Sequence, residues 1–204
     1  LAEYKTKRIV TDLTVAERSE YEKYHDIFTD FLKSRNLILK TPKNFRVLVM
    51  RSGRDASARA ALLARNRARQ IALNSNSKLH ALSRILDDHF GEQMIIFTEH
   101  NSLVYAISRE FLIPAITHTT QKEERAEIMD KFRAGKYKAI VTSKVLEEGI
   151  DVPEASVGVI LSGSGSKREY KQRLGRILRK KECKLAILYE IISKKTTEVG
   201  IAQR

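Results

Sequence analysis

With 204 residues, 42% of them hydrophobic, the chain fits one large domain, or a domain with an insertion, and can bury a sizeable core. A single cysteine, Cys183, excludes an internal disulfide. No apolar run reaches the length of a membrane span and the N-terminus does not read as a signal peptide, so a cytoplasmic setting, nuclear in a eukaryote, is expected with no membrane partner. The formal charge of +13 is unevenly placed: Phe31–His80 holds twelve Lys or Arg against one acid, Asp55, an excess of +11 that leaves +2 for the rest. Such a concentration points to a nucleic-acid partner, the plainer alternative being a solubilising helical face.

Taken in order, Tyr4–Leu13 contains the strand-like alternation Arg8–Leu13. Thr14 and Glu17 then match a capping box that opens a helix. In that helix Tyr21, Tyr24, Ile27, Phe28, Phe31 and Leu32 recur at helical spacing and predict a buried stripe. A break with Pro42 follows. Phe45–Met50 is apolar, and Arg51–Ala72 reads as a helix rich in Arg and Ala. Counted at 100° per residue from Arg54, Arg65 and Arg69 fall within about 60° of one another. Leu62, Leu63 and Ile71 give this helix only a thin apolar stripe, which predicts that it projects from the body or lies on a partner, with neither Arg65 nor Arg69 in a core.

After the polar linker Asn74–Ser77, Ser77 is a plausible N-cap for a helix Lys78–Phe90 whose core face is Leu79, Leu82, Ile85 and Leu86. Strands Met94–Phe97, Phe111–Ile116, Ala139–Thr142, Val157–Leu161 and Leu185–Ile192 then alternate with helices Asn101–Arg109 and Gln121–Arg133, the latter with a Thr120/Glu123 capping box. Such alternation predicts a parallel sheet covered on both faces. Ser162-Gly163-Ser164-Gly165 reads as the loop leaving the strand that ends at Leu161, and Ser166 with Glu169 as the start of a further helix.

That last helix carries Gln172-Arg173-Leu174-Gly175-Arg176-Ile177-Leu178-Arg179. Arg173, Arg176 and Arg179 are three apart and share one face, while Gly175 leaves room for close approach beside the row. A rigid row of guanidiniums suits phosphate oxygens, and a solvated basic helix is the alternative the spacing leaves open. Thr98, Thr142 and Ser143 bring hydroxyls to strand carboxyl ends, where they could meet nucleic-acid phosphates or simply cap helices. Glu147 and Glu148 are adjacent and face different ways, a poor acid/base pair, and His118-Thr119-Thr120 reads as a turn.

The pattern Q-x-x-G-R-x-x-R resembles motif VI of superfamily 2 helicases, and Val141–Pro153, about thirty residues upstream, resembles motif V. With the preceding Gly/Ser loop, the fuller wording is most similar to the xeroderma-pigmentosum-group-B (XPB) type of DNA helicase. The resemblance implies a RecA-like P-loop-NTPase-type α/β fold with helices on both faces, plus a basic helical insertion. It implies that Arg176 and Arg179 serve as arginine fingers and, with Gln172, Gly149 and Asp151, face ATP, Asp151 accepting a ribose hydroxyl. Thr98, Thr142 and Ser143 would face the DNA backbone, and Arg54, Arg65 and Arg69 would belong to a thumb-like DNA grip. Asp87-Asp88-His89-Phe90 has the letters of a DExH box, but it ends an amphipathic helix rather than a buried strand and is set aside.

No G-x-x-x-x-G-K-[ST] loop occurs in the sequence, and no acid-rich strand end to hold magnesium. ATP and Mg²⁺ would therefore be held mainly by an N-terminal motor domain, the partner that the arginines complete across a cleft. The expected organisation is a leading strand and helix (1–30), the basic insertion and linker (31–77), the RecA-like helicase domain (78–192) and a tail (193–204). DNA is the expected substrate, and repair or transcription factors are admissible further partners. A non-catalytic nucleic-acid-binding module, a restriction-type translocase or an RNA helicase are the alternatives.

Overall fold

The computed structural model of the chain describes residues 4–39, 41–143, 155–161 and 185–197. They fall into two compact units: Leu13–Ser75, and a larger one joining Leu1–Asp12 to Asn76–Arg204.

In the larger unit, strands β1 (Tyr4–Thr11), β2 (Met94–Phe97), β3 (Ala115–Ile116), β4 (Ala139–Thr142), β5 (Val157–Ile160) and β6 (Ala186–Ser193) form one sheet in the order β1-β6-β5-β2-β4-β3. Every pairing is parallel. The four central residues of β2 are all buried, and alternate side chains leave for opposite faces. Met94 and Ile96 join Leu82 and Ile85 of α4 (Asn76–Asp88) and Leu103, Val104 and Ile107 of α5 (Asn101–Phe111) in one core. Ile95 and Phe97 join Ile128, Met129 and Phe132 of α6 (Lys122–Arg133) in a second core on the other face. The fully buried Phe132 alone contributes about 1.5–3 kcal/mol by leaving water. This is the doubly covered parallel sheet that the alternation predicts.

Two local expectations are corrected. The strand predicted over Phe111–Ile116 is only Ala115–Ile116, because α5 runs on through Phe111 and ends on Leu112 in the left-handed region (φ 55°). Ile113 N–H then closes on Ser108 O at 3.2 Å, and Pro114 has no N–H to offer a ladder. The Thr120/Glu123 capping box is absent: α6 starts after Gln121 with no side-chain cap, and the Thr120 hydroxyl instead accepts from Thr117 N–H at 2.9 Å. His89 sits past the end of α4, between Glu92 (3.2 Å) and Tyr189 (2.8 Å), as a polar tether.

The smaller unit is helical: α1 (Val15–Ser34), α2 (Pro42–Arg51) and α3 (Ala56–Leu73). The Thr14/Glu17 capping box is present in both directions. The long helix expected over Arg51–Ala72 is broken by a turn at Ser52–Arg54, and Asp55 starts α3 anew by accepting from Ser57 N–H (2.9 Å) and Ala58 N–H (3.1 Å). The Ser57 hydroxyl, then the Ala58 amide, hold the Asp55 carboxyl below its usual pKa.

The thin stripe assigned to α3 proves misleading. Leu63 is 60% exposed, yet Ala58, Ala61, Ala64, Ala68 and Ala72 are buried with Leu62, Ile71 and Leu73. Small side chains at helical spacing let α1 and α3 approach closely, so Ala68, Ile71 and Ala72 pack on Leu13 and Tyr21, and Ala58 and Leu62 on Leu48 beside Phe28 and Phe45. The unit thus has its own core. Of the aromatic stripe predicted for α1, Tyr21 is buried, Tyr24, Phe28, Phe31 and Leu32 are partly buried, and Ile27 faces solvent.

Candidate functional site

Parallel pairing puts every strand's carboxyl end on the same edge of the sheet, and that edge is where α/β folds gather ligands. Backbone hydrogen bonds lace it together: Thr98 N–H donates to Thr142 O at 3.0 Å, Ser143 N–H to Ile116 O at 3.3 Å and Leu161 N–H to Phe97 O at 3.0 Å. Thr98, Thr142 and Ser143, picked out by the sequence, therefore stand side by side on adjacent strands, all buried. Their hydroxyls differ in their described partners. Thr98 Oγ1 donates to His100 O (3.0 Å) and Thr142 Oγ1 to Ser143 O (2.8 Å), while the Ser143 hydroxyl has no hydrogen bond to another described residue.

A second group on this edge escaped the sequence reading, which treated it as a turn. After β3, Thr117 Oγ1 and Thr119 Oγ1 lie 2.8 Å apart, and Tyr105 OH from α5 reaches them at 3.2 and 3.1 Å. These hydroxyls lower the Tyr105 pKa from its ordinary value, Thr117 most. Arg125 of α6 spans Thr117 O (3.4 Å) and Thr120 O (3.3 Å) through Nη2, and its buried Nε has no hydrogen-bond partner. Asn101 Nδ2 and His118 Nδ1 are 2.8 Å apart at the exposed rim. The available signal was the density of hydroxyls in Thr117-His118-Thr119-Thr120 immediately after a strand.

Gly149, Asp151, Gln172, Arg176 and Arg179 lie outside the described residues. Leu161 is the last described residue before Gln172, Arg176 and Arg179, and Ser143 the last before Gly149 and Asp151. The Leu161 carbonyl accepts from Lys78 Nζ at 2.9 Å, and Lys78 is fully buried at the start of α4.

In the helical unit the three chosen arginines have different surroundings. Arg54 is exposed in the turn before α3. Arg65 lays its guanidinium over the Phe45 ring (4.6 Å) and the Phe28 ring (5.9 Å), and burial, then the neighbouring Arg69, lowers its pKa. The expectation that Arg65 stays clear of the core is corrected: a flat guanidinium stacks on aromatic faces and becomes part of the packing. Arg69 is half-buried. Arg67 is engaged by Glu20 at 2.9 Å. Among the described residues no group of three His, Cys, Asp or Glu could hold a metal, and no helix is long and apolar enough to cross a membrane.

The family described as the helicase conserved C-terminal domain matches residues 77–181. The chain belongs to that family. This helicase C-terminal domain is 44% identical over 204 residues to the DNA 3'-5' translocase XPB2 of Sulfurisphaera tokodaii, covering 100% of the chain and 46% of that relative. It is 34% identical over 135 residues to the DNA 3'-5' helicase XPB of Mycobacterium tuberculosis, which covers 65% of the chain and 25% of that protein. The chain thus spans less than half the length of either relative. Among solved structures, the Sulfolobus solfataricus SWI2/SNF2 ATPase core in complex with dsDNA shares the fold with a TM-score of 0.69 at 18% identity, over 98% of this chain and 43% of that one. The C-terminal domain of a Sulfolobus solfataricus SWI2/SNF2 ATPase does so with a TM-score of 0.66 at 18% identity, over 98% and 84%. The helicase C-terminal domain therefore has the RecA-like superfamily 2 fold that the motifs implied.

Proposed function

We propose that this chain is the second motor domain of an ATP-dependent XPB-type DNA helicase or translocase. The end-to-end similarity to a protein named as a DNA translocase carries this reading. In it, ATP sits between this domain and an N-terminal motor domain that supplies the phosphate loop and the Mg²⁺ acids. The bound nucleotide supplies the free energy of phosphoryl transfer. This chain's part is to orient and stabilise: Gly149 and Asp151 at the sugar, Gln172, Arg176 and Arg179 at the phosphates. The fit is chemical, since paired guanidiniums are donors for phosphate oxygens and poor partners for a cation. Ser143, with Thr98 and Thr142 beside it, serves the DNA backbone, and opening and closing of the cleft moves that contact along the strand.

The division of labour has a direct test. The 204-residue chain by itself is expected to turn over no ATP, with or without DNA, because it has no phosphate loop. A purified sample with DNA-stimulated turnover that survives Arg176→Ala with Arg179→Ala overturns the assignment, whereas turnover restored only by the preceding half of the protein supports it.

The basic helical unit holds DNA through phosphates in this reading. Arg65 is a poor probe of that role, since truncating it also unpacks Phe45 and Phe28. Arg54 and Arg59 are exposed and outside the buried alanine face. Arg54→Ala with Arg59→Ala is expected to flatten the log–log salt dependence of duplex binding by about one to two units, at roughly 0.9 per phosphate released. Thermal stability should be unchanged. A salt slope equal to wild type makes this segment a solvated face.

A further inference from the structure

The outward face of α2 has an unusual composition. At 100° per residue, Phe45 and Leu48 point one way and pack against Phe28, Phe31, Ala58 and Leu62. Lys43, Arg46, Val47 and Met50 fall within about 100° of one another on the opposite side. There, Val47 is 56% and Met50 72% exposed, beside the exposed Lys43 and Arg46. Ile38, 65% exposed, is tied to the foot of the same helix by the Asn44 Nδ2 donation to its carbonyl at 3.0 Å. Arg51 and Arg54 extend the positive field beyond the end of the helix.

Charge decides what such a face can receive. The one acid in Phe31–His80, Asp55, is turned inward: Oδ1 accepts from the Ser57 hydroxyl (2.6 Å) and from the two cap amides, and Oδ2 lies 3.7 Å from Arg35. Among the described residues of 31–75 the exposed charges are therefore all cations, a balance that favours a polyanion. A merely solvated basic helix has no reason to hold out a methionine and a valine beside its cations. The occupant must offer phosphates and flat apolar surface close together, and a nucleic-acid strand with unstacked bases does so. The flexible methionine thioether adapts to aromatic faces, and apolar side chains of this kind wedge against or between bases in other nucleic-acid complexes.

We infer that this face of α2 is a base-contacting edge: Val47 and Met50 lie against unstacked bases while Lys43 and Arg46 neutralise the flanking phosphates. The inference rests on the reading above that the chain binds DNA and adds a preference for strands whose bases are accessible, such as single strands or an opening duplex, over closed duplex.

The test compares, in the full chain, an oligothymidylate of about 20 residues with an abasic strand of equal length and charge. Wild type should bind the base-bearing strand at least about tenfold more tightly, since each stacked base contributes a several-fold factor. Val47→Ser with Met50→Ser should bring that ratio close to one and keep the salt slope. Lys43→Gln with Arg46→Gln should keep the ratio and lower the slope by about one unit or more, at roughly 0.7 per single-strand phosphate. All four side chains are exposed, so circular dichroism and melting should match wild type in both variants. A ratio of one in wild type, or an unchanged ratio in the Val47/Met50 variant, overturns the base contact and leaves the face for an acidic protein partner; the phosphate-holding role stands in that case if the Lys43/Arg46 variant still loses slope. Salt-independent binding of every strand by wild type would sink the DNA reading itself and the inference with it.

Discussion

Replacing Arg179 by alanine, in a protein that also carries the phosphate-loop domain, is expected to lower ATP turnover by about 10³–10⁵-fold, the range over which an arginine finger acts. Its guanidinium matters most when charge spreads over the transferring phosphoryl group, so kcat should fall far more than nucleotide or DNA affinity. Arg176, three residues earlier in the sequence, should behave in kind, and the double variant should lose little beyond the larger single loss, since groups acting as a unit are not additive. Arg179→Lys should recover only a small part, because an ammonium keeps the charge and loses the planar fork. A sample of Arg179→Ala with wild-type turnover would reduce this stretch to a basic surface. A loss of nucleotide affinity with kcat unchanged would assign the arginine to ground-state binding instead.

The fold was legible because its signals are those of buried parallel strands. The runs Met94–Phe97, Ala139–Thr142 and Val157–Ile160 are apolar on both faces, which only a covered sheet can use. The misreadings share one cause, a side chain judged apart from its neighbours. Counting only large apolar residues missed the alanines of α3, whose smallness lets α1 come close. Thr120 had the letters of a cap, yet its hydroxyl found Thr117 N–H first. Arg65 was treated as a solvent charge, although Phe45 and Phe28 offered it two ring faces. At the site, spacing alone could select Thr98, Thr142 and Ser143 as a group. Which carbonyls the Thr98 and Thr142 hydroxyls meet is something that sequence does not locate, and the Tyr105–Thr117–Thr119 cluster joins residues from two elements that only the fold brings together.

The second large effect is expected at Lys78, which the sequence marks only as the first residue of the helix expected over Lys78–Phe90. A fully buried lysine is costly unless its ammonium is satisfied, because desolvating an ion costs several kcal/mol before any partner is met. Here Nζ donates to Leu161 O at 2.9 Å. That carbonyl ends the line of β5, since Leu161 N–H is itself held by Phe97 O, and the chain leaves from it toward the arginine stretch. Lys78→Ala removes the donor and opens a void where the butyl stem lay, for an expected loss of about 2–4 kcal/mol in unfolding free energy. Lys78→Met fills most of that void and relieves the buried charge, so its loss should be clearly smaller although the carbonyl stays unpaired. If the lysine's use is to fix the end of β5, Lys78→Met should nonetheless lower DNA-stimulated ATP turnover of the two-domain protein at a temperature where it is fully folded, with nucleotide affinity little changed. Urea midpoints and turnover measured on the same two variants separate the roles. A Lys78→Ala protein as stable as wild type would show that Leu161 O finds another donor. A Lys78→Met protein with wild-type turnover would confine Lys78 to packing.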